Sequence, residues 1–150
     1  MTITLEAIKA EHSKLAAMIA QFEAQATEPI RLPEQWIELA GGEHYAGIVV
    51  GKDGESSYHL ILLPAAAEKL TWAKAKELAA AAGGELPTRR EQSLLFANLR
   101  KQFESAWYWS GEQYAADSVF AWCQHFFSGT QYGNHTARGL RARAVRRVAI

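Results

Sequence analysis

The sequence predicts an α+β fold: a domain of mixed helices and antiparallel strands, preceded by a separate N-terminal helix. Three observations predict it. Residues 4–27 hold no glycine or proline and space their larger apolar residues at helical intervals. Residues 71–101 carry two more helical patterns, divided by Gly83-Gly84 and Leu86-Pro87. Before and after them lie short β-branched or aromatic runs bounded by turn residues, the texture of an antiparallel sheet.

In the first element, Leu5, Ile8, His12, Leu15, Ile19 and Phe22 follow one another at intervals of three, four, three, four and three, a narrow heptad seam with His12 at one core position. An amphipathic helix lying on its own domain would carry such a seam, and so would a short parallel coiled coil. The expectation is self-association into a dimer or trimer, with residues 1–28 as the oligomerisation segment. His12 would then face its symmetry mates, and such an oligomer weakens below about pH 6 as like charges are brought together. Glu28-Pro29 ends the helix, and residues 29–43 form a connector in which Trp36, Ile37 and Leu39 begin to pack on the domain of residues 44–150.

His44–Val50 and Tyr58–Leu63 read as a hairpin turning at Asp53-Gly54. Behind Thr71 as N-cap, Trp72, Ala75, Leu78, Ala79 and Ala82 mark a helix closed by Gly83-Gly84. A third helix begins at Thr88, whose hydroxyl and the Glu91 carboxylate suit a capping box, and it reaches about Lys101. Trp107–Ser110, Val119–Phe127 and Gly139–Val148 read as strands, and Ser128–Thr136 as a polar loop.

Composition narrows the function. At 49% hydrophobic and 21% charged residues the chain can bury one core and is neither disordered nor membrane-spanning. Sixteen basic residues balance sixteen acidic ones, so no long-range field recruits nucleic acid, and neither nucleic-acid binding nor membrane insertion is expected. The one cysteine, Cys123, rules out an internal disulfide and fits a small buried side chain in a reducing compartment. Early acidic residues and the lack of an apolar block argue against a secretion signal, which points to the bacterial cytoplasm or a phage particle. His44, His59, His125 and His135 have no metal-ligand spacing. No metal, cofactor or catalytic residue is expected. The arginines at 138, 141, 143, 146 and 147 are expected to pair with carboxylates such as Glu85, Glu91, Glu104 and Glu112 rather than with phosphates.

Several of these residues, in this order, carry a resemblance: Trp72 with Ala75 and Ala79, LPTRRE at Leu86–Glu91, YWS at Tyr108–Ser110 with Glu112, AWC at Ala121–Cys123 leading to Phe126, Gly129, and RARAVR at Arg141–Arg146. Over about residues 70–148 the chain resembles the C-type-lectin-like domain of bacterial collagen-like adhesin C-termini and of many phage and prophage proteins of unknown function. The resemblance implies two helices flanking a twisted antiparallel sheet, a long central final strand, and a ligand-binding face on the last strands and loops. It assigns Trp72, Trp109, Trp122 and Phe126 to the core. The Glu-Pro-Asn, Gln-Pro-Asp and Trp-Asn-Asp signatures of calcium-dependent sugar binders are absent, so binding is expected to be calcium-independent. A lone Cys123 does not meet the need of the formylglycine-generating relatives for catalytic cysteines.

Tyr114, Gln131, Tyr132, Asn134 and His135 fall in expected loops outside those core positions. Tyrosine among Ser, Gly and Asn suits an adaptable recognition surface, and it equally suits an ordinary loop. The expected function is a non-enzymatic recognition protein of phage or prophage type, displaying a lectin-like surface to a protein or glycan partner on a self-associating helix. The alternative is an intracellular inhibitor or adaptor that occludes a host bacterial protein.

Overall fold

A computed structural model describes residues 2–26 and 32–150, which form three α-helices, a short 3-10 helix and six strands. The chain divides into two compact units, Met1–Pro33 and Glu34–Ile150.

The first unit contains α1, Leu5–Gln25. Thr4 caps it, its hydroxyl accepting from the amide of Ala7 at 3.2 Å. The expected stop at Glu28-Pro29 lies outside the described residues. Each residue of α1 is exposed, and Leu5, Ile8, Leu15, Ile19 and Phe22 of the seam are between 51% and 75% exposed.

The second unit runs β1 (His44–Val49), β2 (Tyr58–Leu70), α2 (Trp72–Ala81), α3 (Arg89–Leu99), the 3-10 turn Arg100–Gln102, β3 (Trp107–Gln113), β4 (Phe120–His125), β5 (Gln131–His135) and β6 (Leu140–Ala149). The strands form one sheet in the order β1-β2-β6-β3-β4-β5. The expected all-antiparallel sheet is corrected at one place: β3 runs parallel to β6, meeting it at Tyr108 and Arg141. β6 lies between β2 and β3, which run in opposite directions, so it is antiparallel to one and parallel to the other.

Two further expectations change. β2 continues past Leu63 to Leu70, although Pro64 has no amide to donate. β1 stops pairing at Leu62, so no neighbour on that side needs the missing donor, and the register with β6 shifts between Leu62 and Ala66. In the connector, Trp36 is 91% exposed and does not pack on the domain. Gln35 ties this segment down instead: its amide donates to the Ala149 carbonyl at 3.0 Å and its oxygen lies 3.1 Å from Nε2 of His59.

Alternation along the strands serves two cores. Ala75 and Ala79 of α2 pack with Leu63, Trp109, Cys123, Ala142 and Ala144. Leu95 of α3 packs with Leu60, Leu62, Tyr108, Phe126 and Val145. Neighbouring residues such as Tyr108 and Trp109, or Ala144 and Val145, serve opposite clusters, so α2 and α3 cover opposite faces of the sheet. Alanine at the α2 and β6 contacts lets their backbones approach closely. The indole of the fully buried Trp109 donates to the Leu70 carbonyl at 2.8 Å, so its polar atom is not left bare.

The helix ends follow their local signals. Beyond α2, the Gly83 amide bonds the Ala80 carbonyl and the Gly84 amide that of Ala79, a Schellman closure with Gly83 in the left-handed region. At α3, the Thr88 hydroxyl accepts from the Glu91 amide at 3.1 Å and the Glu91 carboxylate from the Thr88 amide at 2.8 Å. No helix among the described residues is long and apolar enough to cross a membrane.

Candidate functional site

Gln131–His135 is not a loop. It pairs with β4 from Phe120↔His135 to Gln124↔Gln131, and so makes the edge of the sheet. Pairing wins over a weak intrinsic strand preference here, because β4 would otherwise leave its own amides and carbonyls open. The pairing places Gly133 beside Trp122. A β-carbon at Gly133 would come within 3.2 Å of Tyr114 Cδ2, so the missing side chain is what lets the Tyr114 ring settle against β5.

Tyr114 leads from β3 into a turn that is tightly pinned. Its amide bonds the Phe120 carbonyl at 2.9 Å, the amide of Phe120 bonds the Asp117 carbonyl at 3.1 Å, and Asp117 Oδ1 accepts from the Val119 amide at 3.1 Å. Between this turn and the β4-β5 edge opens a cleft of about 450 Å³, lined by Tyr114, Asp117, Phe120, Trp122, Gln131, Tyr132 and Gly133. Its size is in the range of small-ligand sites.

The wall is stiffened from the first turn of α3. The Arg89 guanidinium carbon lies 3.5 Å from the centroid of the Trp122 ring, and Tyr114 leans on the same indole with centroids 5.0 Å apart. Arg89 Nε donates to Gln131 Oε1 at 3.0 Å. The Gln131 amide group donates in turn to the Arg89 carbonyl at 2.7 Å and to Gln124 Oε1 at 2.9 Å, while Gln124 donates to the Gln92 carbonyl at 3.1 Å. Gln92 and Gln124 are buried, so this chain of amides links the cleft to the core.

Of the residues singled out in the sequence, Tyr114 and Gln131 meet at the cleft; Tyr132 borders it along β5, but it pairs with Cys123 and its ring lies 6.2 Å from that of Trp107 on the opposite face, and Asn134 and His135 do not line it. Asn134 is buried, donating to Cys123 Sγ at 3.4 Å. His135 accepts from the Ala137 amide at 3.2 Å and sets its ring edge-on to Phe120. Trp122, expected in the interior, is only part-buried and lines the cleft. Asp117, Phe120 and Arg89 were not singled out. Strand alternation held the signal: Phe120 and Trp122 share one face of β4 while Ala121 and Cys123 fill the core on the other.

The arginines are mostly engaged. Arg147 bridges Glu85 and the fully buried Glu91, whose Oε1 lies 2.6 Å from Arg147 Nε and 2.6 Å from the Tyr58 hydroxyl. Burial, the largest influence on Glu91, pushes its carboxyl up, but the bonds from Arg147, Tyr58 and the Thr88 amide together hold it below its usual value. Burial and the adjoining carboxylate push the Tyr58 phenol up to about 12. Arg146 pairs with Glu43 and Arg141 with Glu68, carboxylates that were not foreseen as partners. Arg143 donates to the carbonyls of Gln102 and Leu63. Burial also raises the Cys123 thiol, to about 11, against an opposing bond from Asn134, which leaves little thiolate at neutral pH. Among the described residues no group of three or more His, Cys, Asp or Glu side chains is placed to hold a metal ion.

No family model matches the chain, and a search of curated proteins finds no match to it.

Proposed function

We propose that the protein is a non-enzymatic recognition module of the phage or prophage type, with a C-type-lectin-like domain that offers the cleft beside β5 to a protein or glycan partner. The observation that carries this reading is the cleft itself, an aromatic concavity held in shape by the Arg89–Gln131–Gln124 network. It lies on the last strands, where the sequence resemblance places a ligand-binding face. The exposed seam of α1 supports assembly into a dimer or trimer, in which weak single contacts multiply by avidity.

Light scattering on the full chain, beside a chain lacking residues 1–28 and a Leu15→Asp/Ile19→Asp variant, tests the assembly. The expected outcome is a dimer or trimer for the first and folded monomers for the other two. A monomeric full chain would overturn self-association. Binding to panels of bacterial envelope glycans and proteins tests recognition: Tyr114→Ala is expected to abolish it with the oligomer intact. Binding that survives in Tyr114→Ala but is lost on altering Leu15 and Ile19 would favour the inhibitor or adaptor, acting through its helix.

A further inference from the structure

We infer that the cleft between the β3-β4 turn and β5 is a site for an organic cation, an alkylated ammonium group carried by the partner. This rests on the reading of the cleft as the recognition surface. Three aromatic side chains, those of Tyr114, Phe120 and Trp122, line it, and the negative faces of such rings attract ammonium groups. No Lys, Arg or His side chain is among the lining residues, and Asp117 supplies the carboxylate. Oδ1 of Asp117 accepts from the Val119 amide, while no hydrogen bond or ion pair among the described residues takes up Oδ2.

The amide chemistry separates a cation from a sugar. A site that selects neutral hydroxyl groups needs free donors and acceptors set at fixed angles. Gln131, the amide lining the cleft, already donates to Gln124 and to the Arg89 carbonyl and accepts from Arg89. The phenol hydroxyl and the indole N–H are neutral, and Asp117 is the one charged group among the lining residues. Trp122 carries an internal precedent, since its ring already holds the Arg89 guanidinium at 3.5 Å although Arg89 does not line the cleft. That guanidinium opposes a second cation, and Asp117 offsets it. A space of about 450 Å³ suits a bulky, weakly hydrated group with alkyl arms better than a bare metal ion.

The test is a titration of the ¹⁵N-labelled full chain with tetramethylammonium chloride, against sodium chloride at equal ionic strength. Saturable shifts at Gly133, Tyr132 and the Trp122 indole are expected. Asp117→Asn keeps the Oδ1 bond to Val119 and loses only the charge, and it is expected to weaken binding about tenfold, as is Tyr114→Ala. Neopentyl alcohol, similar in shape but uncharged, should also bind about tenfold more weakly. Choline and Nε-trimethyllysine then distinguish a small headgroup from a modified side chain, and tight binding of either supports the site. Equal binding of neopentyl alcohol, no saturable shift, or shifts from a neutral monosaccharide alone would overturn the cation site. Those outcomes leave the recognition reading standing if Tyr114→Ala still abolishes partner binding, and that reading falls separately if the substitution has no effect on the partner.

Discussion

At Glu91 one carboxylate serves three parts of the fold. It caps α3 through Thr88, receives the Tyr58 hydroxyl from β2, and receives two nitrogens of Arg147 from β6. Glu91→Gln keeps the shape and removes the charge, leaving Arg147 and Tyr58 facing a neutral amide. A loss of about 3 kcal/mol is expected from urea unfolding at neutral pH, the scale for breaking a buried pair. The pH dependence follows from the lowered carboxyl. The pair's contribution is complete above the ordinary glutamate range and is lost as pH falls through the lower folded value. The wild-type domain should therefore lose stability in acid more steeply than Glu91→Gln, which urea midpoints measured from neutral pH downward will show. The capping box was legible because its partners are three residues apart, and Glu91 had also been counted among carboxylates open to the C-terminal arginines. Tyr58 was not legible: it stands 33 residues away, and only the sheet's topology brings it there.

Among the elements, β5 was the hardest to foresee. Gln131-Tyr132-Gly133-Asn134-His135 has one good strand former in five, so composition reads as a loop, and its state depends on β4 beside it. α1, α2 and α3 were plain because caps and spacing lie within each segment. Half of the cleft went unforeseen for a related reason: Trp122 fits a core pattern in sequence, and only the edge position of the β4-β5 pair opens its face to solvent. Gly133 is the position that shapes this edge. Gly133→Ala is expected to fold at a cost of about 1 kcal/mol, since the Tyr114 ring must move by a few tenths of an ångström. Thermal unfolding together with the Tyr114 and Trp122 ring resonances checks both parts: a small drop in midpoint, with the shifts confined to the cleft.

For the molecule as a whole, the two units differ in how they bury apolar surface. The domain from Glu34 onward has two cores of its own, whereas α1 exposes its apolar seam. The α+β class was readable from the alternation of helical and strand texture. The parallel contact of β6 with β3 was not, because strand order depends on how distant segments meet and no local pattern encodes it.

That order carries a consequence for how the chain comes together. β6 is the last strand in sequence but the third in space, so β1-β2 and β3-β4-β5 remain two unjoined ribbons until it arrives. Each ribbon meanwhile presents an open edge able to pair with the wrong strand. Joining them is a long-range step, expected to govern the folding rate. A chain stopped at Gly139 should stay without fixed near-ultraviolet dichroism from Trp109, and a synthetic peptide of residues 140–149 should restore that signal in trans. The domain is in this sense a slot awaiting its tenon, closed by the ten residues of β6.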